Sequence, residues 1–453
     1  MSSTVTLLRT PLRCSLSPGD VLALLSDEPL PFALAGRWAG GGAIVGSAPI
    51  VVADDGDDPF AVLDQLPALA TDTVNHAGAV GGGWFGWLGY RLAARVESIP
   101  PSPPRPVLMP EFHLAYYDNV LRRDATGRWW FEALASEARA ANLERRRRRL
   151  GDLLSSAPAP RGPAHHWELA EPDVTPLTLS ADAAAAHLAA IVACRERIAA
   201  GEIFQANLCV RLQAAASTSP AALFRRGIRN GPPPFAATFT TPRGSIVSFS
   251  PELFLRRRAG HVMTAPIKGT APRGADELAD QAARARLLRS AKDAAEHVMI
   301  VDLMRNDLGR VSAYGSVRAA PHPTVEAHPG LWHLVTTVAG DLRPQTSNAD
   351  LLRATFPAGS VTGAPKVQAL TVIAELERTG REVYTGAIGY VSALAGLELS
   401  VAIRTLELSG DAMWLGAGGG IVADSDPARE LEEALVKGRS VATAIGTSVV
   451  TER

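Results

Sequence analysis

Strand-like and helix-like stretches in this 453-residue chain arrive in blocks rather than in strict alternation, and that order limits the folds open to it. GGGWFGWLGYRL (81–92) and FHLAYYDNVLRRD (112–124) carry the aromatic, partly alternating pattern of strands. In EIFQANLCVRL (202–212), Phe204, Ala206, Leu208, Val210 and Leu212 fall on one face, and Gln205, Asn207, Cys209 and Arg211 on the other. SIVSFSPELFLRR, VYTGAIGYVSAL and LELSVAIRTLEL read as further strands. Helical spacing appears after Ser180, a cap, up to Gly201, an end; it recurs in 279–309, in APKVQALTVIAELER and in DPARELEEALVKGRSVATAIG. A βαβ alternation would demand a parallel sheet; blocks predict an α+β fold with large antiparallel sheets.

With 47% hydrophobic and 20% charged residues the chain has ample core. At roughly 100–200 residues per domain it suffices for about two to four domains or one large duplicated unit. The proline-rich, aperiodic stretch SSAPAPRGPAHHWELAEPDVTP (155–176) marks the main boundary. It predicts an N-terminal α/β region over 1–160, a linker over 161–179 and a main part over 180–445. Forty-five basic and 46 acidic residues leave a net charge of −1, no footprint for nucleic acid or an anionic membrane. Arg145 to Arg149 end an Ala/Arg/Leu-rich segment and read as a solvated helix face. No apolar run approaches the roughly 18 residues of a membrane span, and the N-terminus lacks a signal-peptide pattern. Cys14, Cys194 and Cys209 are odd in number and form no C-x-x-C, which fits a reducing cytoplasm. Only four of the 45 basic residues are lysines: Lys268, Lys292, Lys366 and Lys437. Where arginine serves nearly every cationic need, a surviving lysine points to amine chemistry that guanidinium cannot supply.

Two acidic pairs carry the strongest chemical signal. Asp293 and Glu296 are three apart in one predicted helix, and Glu430 and Glu433 are three apart just after the cap Asp426-Pro427. If the two faces met, four carboxylates would repel unless a divalent cation lay between them, and oxygen-only ligands point to Mg²⁺. The alternative is a wet surface on which Glu433 pairs with Lys437 at i, i+4. LGAGGGIVADSDP (415–427) and PAGSVTGAPKVQAL (357–370) place glycines ahead of helices, where backbone N–H groups approach an anion or simply make a turn. Neither is a dinucleotide fingerprint or a P-loop: Ile421 replaces a third glycine, and Pro365 precedes Lys366 with no Ser/Thr after it. Lys268 in TAPIKGTAPR, Glu252 in SFSPELFL and His333 in GLWHLVTTV are each readable as ordinary surface, edge or core residues; lysine scarcity lifts Lys268 above the others. No G-x-S-x-G and no thiol nucleophile setting appears.

Nine segments, in order, resemble the chorismate-utilising enzymes. They are GEIFQANL (201–208), SPELF (250–254), PIKGTAPR (266–273), AEHVMIVDLMRNDLGRV (295–311), HLVTTVAGDL (333–342), GSVTGAPKVQA (359–369), YTGAIGY (384–390), IRTLEL (403–408) and GAGGGIVADSDP (416–427). The resemblance implies two packed antiparallel sheets flanked by helices, with a central cleft. It implies that Glu296 and Glu433 bind Mg²⁺, while Asp293 and Glu430 hold its waters, and that the metal anchors the ring carboxylate of chorismate. Gly269, Thr270 and Ser360 match positions near that carboxylate; Tyr384 and Arg404 match the clamp on the enolpyruvyl carboxylate, joined by backbone N–H groups of Gly418 and Gly420. Glu252 matches the general acid at the C4 hydroxyl, and His333 a site histidine.

Two positions choose a branch within the family. Gln205 stands where the isochorismate and salicylate branches carry a general-base lysine, so ammonia rather than water is the expected nucleophile. Lys268, in PIKGT, matches the aminodeoxychorismate branch, where anthranilate synthases generally have a small residue. Its amine is expected to attack C2 with loss of the C4 hydroxyl before ammonia enters at C4, which requires a depressed pKa. Asp293 departs from the Glu of many relatives, and LLSDEPLPFALAG (24–36) only loosely resembles the family's tryptophan-pocket segment. With no glutaminase triad in the sequence, a separate glutamine amidotransferase subunit is the expected source of ammonia, forming a heterodimer.

Overall fold

Each strand of the chain has two faces to cover, and the fold covers them with four layers: helices, a large sheet, a second sheet, and helices again. The computed structural model describes residues 4–71, 73, 77–105, 109–157, 174–328 and 330–452. Among these, the strands form sheets of 14, nine and three strands. From one edge, the large sheet runs Val449–Thr451, Leu177–Leu179, Gln205–Ala215, Ala412–Ile421, Thr405–Ser409, Gly244–Ser250 and Phe235–Thr241. It continues through Phe32–Gly36 into strands of the first 135 residues. The join is antiparallel, Phe235 opposite Gly36 and Phe239 opposite Phe32. The second sheet likewise sets Ala387–Ser392 beside Gly83–Leu88. Both sheets are thus shared by the two ends of the chain. Pairing is antiparallel except at two edges, where Thr4–Pro11 meets Ala68–Leu69 and Leu177–Leu179 meets Val449–Thr451 in parallel.

The inner faces of the sheets meet in an aromatic core. Phe32 lies 4.4 Å from Phe85, 4.7 Å from Tyr117 and 5.4 Å from Phe239, ring to ring, so residues from both sheets interlock there. On the outer face of the large sheet, helices Pro18–Leu24, Ala140–Ser156, Pro220–Gly227 and Pro427–Ile445 bury Leu22, Leu150, Phe224, Leu435 and Val441. Helices Ala291–Gly309 and Asn348–Thr355 cover the second sheet with Ile300, Met304, Leu308 and Leu352.

Local signals place most helix ends. Ser180 accepts a hydrogen bond from Ala183 N and starts the helix Ala181–Ala199; Asp426 caps Pro427–Ile445 in the same way through Arg429 N, with Pro427 at the first position. Other expectations are corrected. The predicted single helix over 279–309 is two, Glu277–Arg289 and Ala291–Gly309, because extended Ser290 ends one and caps the next, its hydroxyl accepting from Asp293 N. Phe204 is 70% exposed and precedes its strand, while Gln205 and Asn207 on the supposed polar face are buried. An interior strand, covered on both sides, has no solvent face to give them. Most of the predicted linker lies outside the described residues, but its end, Leu177–Leu179, is a strand of the large sheet. The Arg145–Arg149 run is on a helix as expected, where Arg147 and Arg148 pair with Glu144, and Arg146 and Arg149 with Glu28.

Candidate active site

A cavity of about 150 Å³ opens where the small sheet, the glycine-rich strand Ala412–Ile421 and the helices Ala291–Gly309 and Pro427–Ile445 converge. Lys268, Gly269, Thr270, Glu252, His333, Ser360, Tyr384, Arg404, Gly418 and Gly420 line it, as do Asp293, Glu296, Glu430 and Glu433. Gln205 is the predicted site residue that does not reach the lining; it lies just behind, against Gly420. Two lining residues with polar or charged side chains lie outside the expected set. Asn207 shares the face of Gln205, and Lys437 is one of the four scarce lysines.

The glycines of 416–420 do not form the predicted loop; they belong to a ten-residue strand. That strand pairs with Gln205–Ala215 along its length, but its other neighbour, Thr405–Ser409, pairs only with 412–415. The opposite edge of 416–420 is therefore an open row of backbone groups at the cavity. Gly418 O on this edge accepts from Lys437 Nζ at 2.8 Å. In an antiparallel ladder the N–H and C=O of one residue point the same way, so Gly418 and, two residues on, Gly420 turn their N–H groups to the same edge. Side chains are excluded for a second reason. A Cβ on Gly416 would lie 2.4 Å from the Tyr384 ring, and one on Gly420 would lie 2.7 Å from Gln205 Nε2 and 2.8 Å from Lys268 Nζ.

Lys268 sits in the strand Ile267–Pro272, not in an irregular segment. The pairing of that strand with Leu331–Val335 shifts register between Ile267 and Thr270, and Gly269 takes a φ of +84°. This bulge aims Lys268 into the cavity. The ammonium is reached from the cavity yet enclosed by protein, and burial pushes its pKa down while Glu296 and Glu433 hold it up and Lys437 lowers it further. Glu252, 4% exposed, takes the opposite shift: desolvation raises its carboxyl from 4.5 to about 7, against the opposing pull of the Ser360 hydroxyl, which donates to it, and of Lys268 and Arg404. Burial thus moves the two groups in opposite senses, the amine towards neutrality and the carboxyl towards keeping its proton.

His333 is both a core residue, 2% exposed, and part of the cavity wall. Arg404 Nη2 donates to its Nε2 at 3.0 Å, so the ring proton belongs on Nδ1, which then donates to Thr270 Oγ1 at 3.1 Å. The chain Thr270–His333–Arg404 fixes the one guanidinium of the cavity, whose pKa burial pushes down to about 10.

The four carboxylates come two from each helix and supply only hard oxygen donors, the chemistry Mg²⁺ takes. Glu430 and Glu433 lie at the glycine strand, where a Cβ on Gly419 would be 3.4 Å from Glu430 Oε2 and 3.9 Å from Glu433 Oε1, while Asp293 lies at Gly269 beside Lys268. As they stand, Glu433 Oε1 pairs with Lys437 Nζ at 2.9 Å and Glu430 Oε1 accepts from Ser425 Oγ at 2.7 Å. Among the described residues no three His, Cys, Asp or Glu side chains are gathered as a metal site. The donor set fits the ion by its chemistry. The 357–370 loop divides: Ser360 reaches the cavity, whereas Lys366 is buried on Asp307 Oδ2 and the carbonyls of Thr355 and Pro357.

Fold and cavity together describe an α+β protein whose central cavity gathers two amines, a guanidinium and five carboxyl groups. The family model of chorismate binding enzymes matches residues 32–443, and the chain belongs to that family. It acts on chorismate. Its relatives include aminodeoxychorismate synthase component 1 of Klebsiella aerogenes, 37% identical over 79% of this chain and 75% of that one. Anthranilate synthase component 1 of Streptomyces coelicolor is 36% identical over 88% of this chain and 80% of its own length. In structure, anthranilate synthase component I of Streptococcus pneumoniae superposes with a TM-score of 0.74 at 27% identity, covering 97% of this chain and 93% of the other.

Proposed function

We propose that this enzyme aminates chorismate at C4 with ammonia, giving 4-amino-4-deoxychorismate, as the synthase component of a pair whose second member is a glutamine amidotransferase. One observation carries the choice. Relatives of nearly equal identity divide between C4 and C2 amination, but this chain sets an amine, Lys268, beside the proton-holding Glu252 in the same cavity. In the proposed sequence the Lys268 Nζ lone pair forms the C2–N bond, the two conjugated ring double bonds move from C1=C2 and C5=C6 to C1=C6 and C4=C5, and the C4–O bond breaks as its oxygen takes the Glu252 proton and leaves as water. Ammonia then forms the C4–N bond, both double bonds move back and the C2–N bond breaks. Lys268 recovers its lone pair, and the surplus ammonia proton returns to Glu252. Arg404, held by His333, grips the enolpyruvyl carboxylate with Tyr384 and the Gly418 and Gly420 N–H groups. Glu296 and Glu433, with Asp293 and Glu430 behind them, would hold Mg²⁺, which when bound neutralises the ring carboxylate and lets a dianion enter an acidic cavity. Gln205 and Asn207 offer amides and no base, which leaves water unactivated and favours ammonia.

The test is to incubate the purified protein with chorismate, Mg²⁺ and ammonium and identify the product. 4-Amino-4-deoxychorismate without pyruvate is expected. Fluorescent anthranilate with stoichiometric pyruvate would establish C2 amination instead, and unchanged chorismate a binding role without chemistry.

A further inference from the structure

We infer that Arg381 is a positioning residue that sets the pose of Tyr384 for substrate without touching substrate itself; this rests on the reading that chorismate meets Tyr384 in the cavity. None of the chemistry above uses Arg381, yet its side chain is 1% exposed and every N–H of its guanidinium is engaged. Nε and Nη2 donate to the two oxygens of Glu377 at 3.0 and 2.7 Å, Nη1 donates to Val361 O and Thr385 Oγ1 at 3.1 Å each, and Nη2 donates to Asn207 O. Asn207, Val361 and Thr385 belong to three separate segments that meet at the cavity. Asn207 and Val361 line it directly, Val361 beside Ser360, and Thr385 follows Tyr384.

Tyr384 is held on two sides. Its ring lies against the bare backbone of Gly416 and 5.9 Å from the Arg381 guanidinium carbon, which also lies 4.7 Å from the Tyr90 ring. Thr385 adopts a φ of +65°, a left-handed conformation that β-branched residues rarely accept. Its hydroxyl takes the Arg381 N–H and donates to Tyr384 O at 2.6 Å, which ties that strained turn to the guanidinium. Glu377, in turn, accepts from Cys209 N at 3.0 Å and anchors the assembly to the strand Gln205–Ala215. Lysine would keep the charge against Glu377 but cannot span acceptors in all three segments from one nitrogen.

A second cavity of about 500 Å³ borders Arg381, Glu377, Cys209 and Tyr384, and its rim reaches exposed Asp182, Gln213 and Glu452. Truncation of Arg381 would therefore open onto solvent-reachable space. The experiment measures chorismate affinity by calorimetry with Mg²⁺ for the parent, Arg381→Lys, Arg381→Ala, Tyr384→Phe and the Arg381→Lys/Tyr384→Phe double variant, with thermal midpoints as a folding control. Arg381→Lys should bind about tenfold more weakly, the scale of one misplaced polar contact. The double variant should bind little worse than Tyr384→Phe alone, and added methylguanidinium should recover part of the affinity of Arg381→Ala. If Arg381→Lys does not fold, Thr385→Val, which removes the hydroxyl between Arg381 and Tyr384 and leaves the other four guanidinium hydrogen bonds in place, carries the same expectation. Parent-like affinity in the folded variant, or losses that add in the double variant, would overturn the inference. Chorismate bound but not aminated by the parent would refute the proposed reaction alone; chorismate not bound at all would refute both.

Discussion

Glu252→Gln separates two consequences of one buried carboxyl. Desolvation lifts the group from 4.5 to about 7 although Ser360 donates to it and Lys268 stands near. A raised carboxyl pKa opposes folding once the group ionises: the unfolded chain loses this proton near 4.5, the folded chain only near 7, so stability falls as pH rises through that window. At about 1.4 kcal/mol per pH unit, the cost is about 3 kcal/mol, complete above pH 7 and absent below 4.5. Glutamine never ionises, and its carbonyl oxygen still accepts from the Ser360 hydroxyl. The variant is expected to match the parent in acid and to exceed it by up to about 3 kcal/mol near pH 8. Amination should fall by about 10²–10⁴-fold, because the departing hydroxyl loses its proton donor. Urea titrations across this pH range, followed by tryptophan fluorescence, read the first effect, and product formation from ammonium reads the second. Parallel pH dependence of the two proteins, or a stabilised variant with full turnover, would refute the reasoning.

Lys268→Ala should abolish or redirect C4 amination while chorismate still binds, and Lys268→Arg should not restore it, since guanidinium stays protonated; full turnover in either variant would remove Lys268 from the mechanism. Gly420→Ala places a methyl group 2.7 Å from Gln205 Nε2 and 2.8 Å from Lys268 Nζ, so turnover should drop with little change in melting; parent-like rates would show that gap to be immaterial. Mg²⁺ should raise the thermal midpoint of the parent and not that of Glu296→Gln, and a chelator should stop amination. A parent midpoint indifferent to Mg²⁺ would exclude the metal from these carboxylates.

Much of the frame was legible in the sequence because it rests on local physics. Ser180 and Asp426 satisfy helix N–H groups from within three residues, and the acidic pairs at i, i+3 share a face wherever the helix lies. Ser290 shows the limit of that reading. A serine between two alanine-rich stretches is locally compatible with one helix or two, and only packing of Ala291–Gly309 against the second sheet and small sheet decides between them. Lys366 was noticed for its scarcity and proves to be an internal tie, because its partner Asp307 lies 59 residues away in sequence.

The sequence by itself determined which groups were available: two carboxylate pairs, one amine in PIKGT, and a run of glycines too small to block its own backbone. Only the tertiary structure decided what those groups are. Burial turns Glu252 into an acid that holds its proton to about 7 and eases Lys268 towards neutrality, and neither shift is a property of local sequence. The open edge of 416–420 exists because its neighbouring strand stops at Thr405, and the guanidinium of Arg381 joins nearby Val361 and Thr385 to Asn207, 174 residues away in the chain, only because folding brings that strand beside them. Spacing sets the face a residue occupies; desolvation and long-range contact set its chemistry.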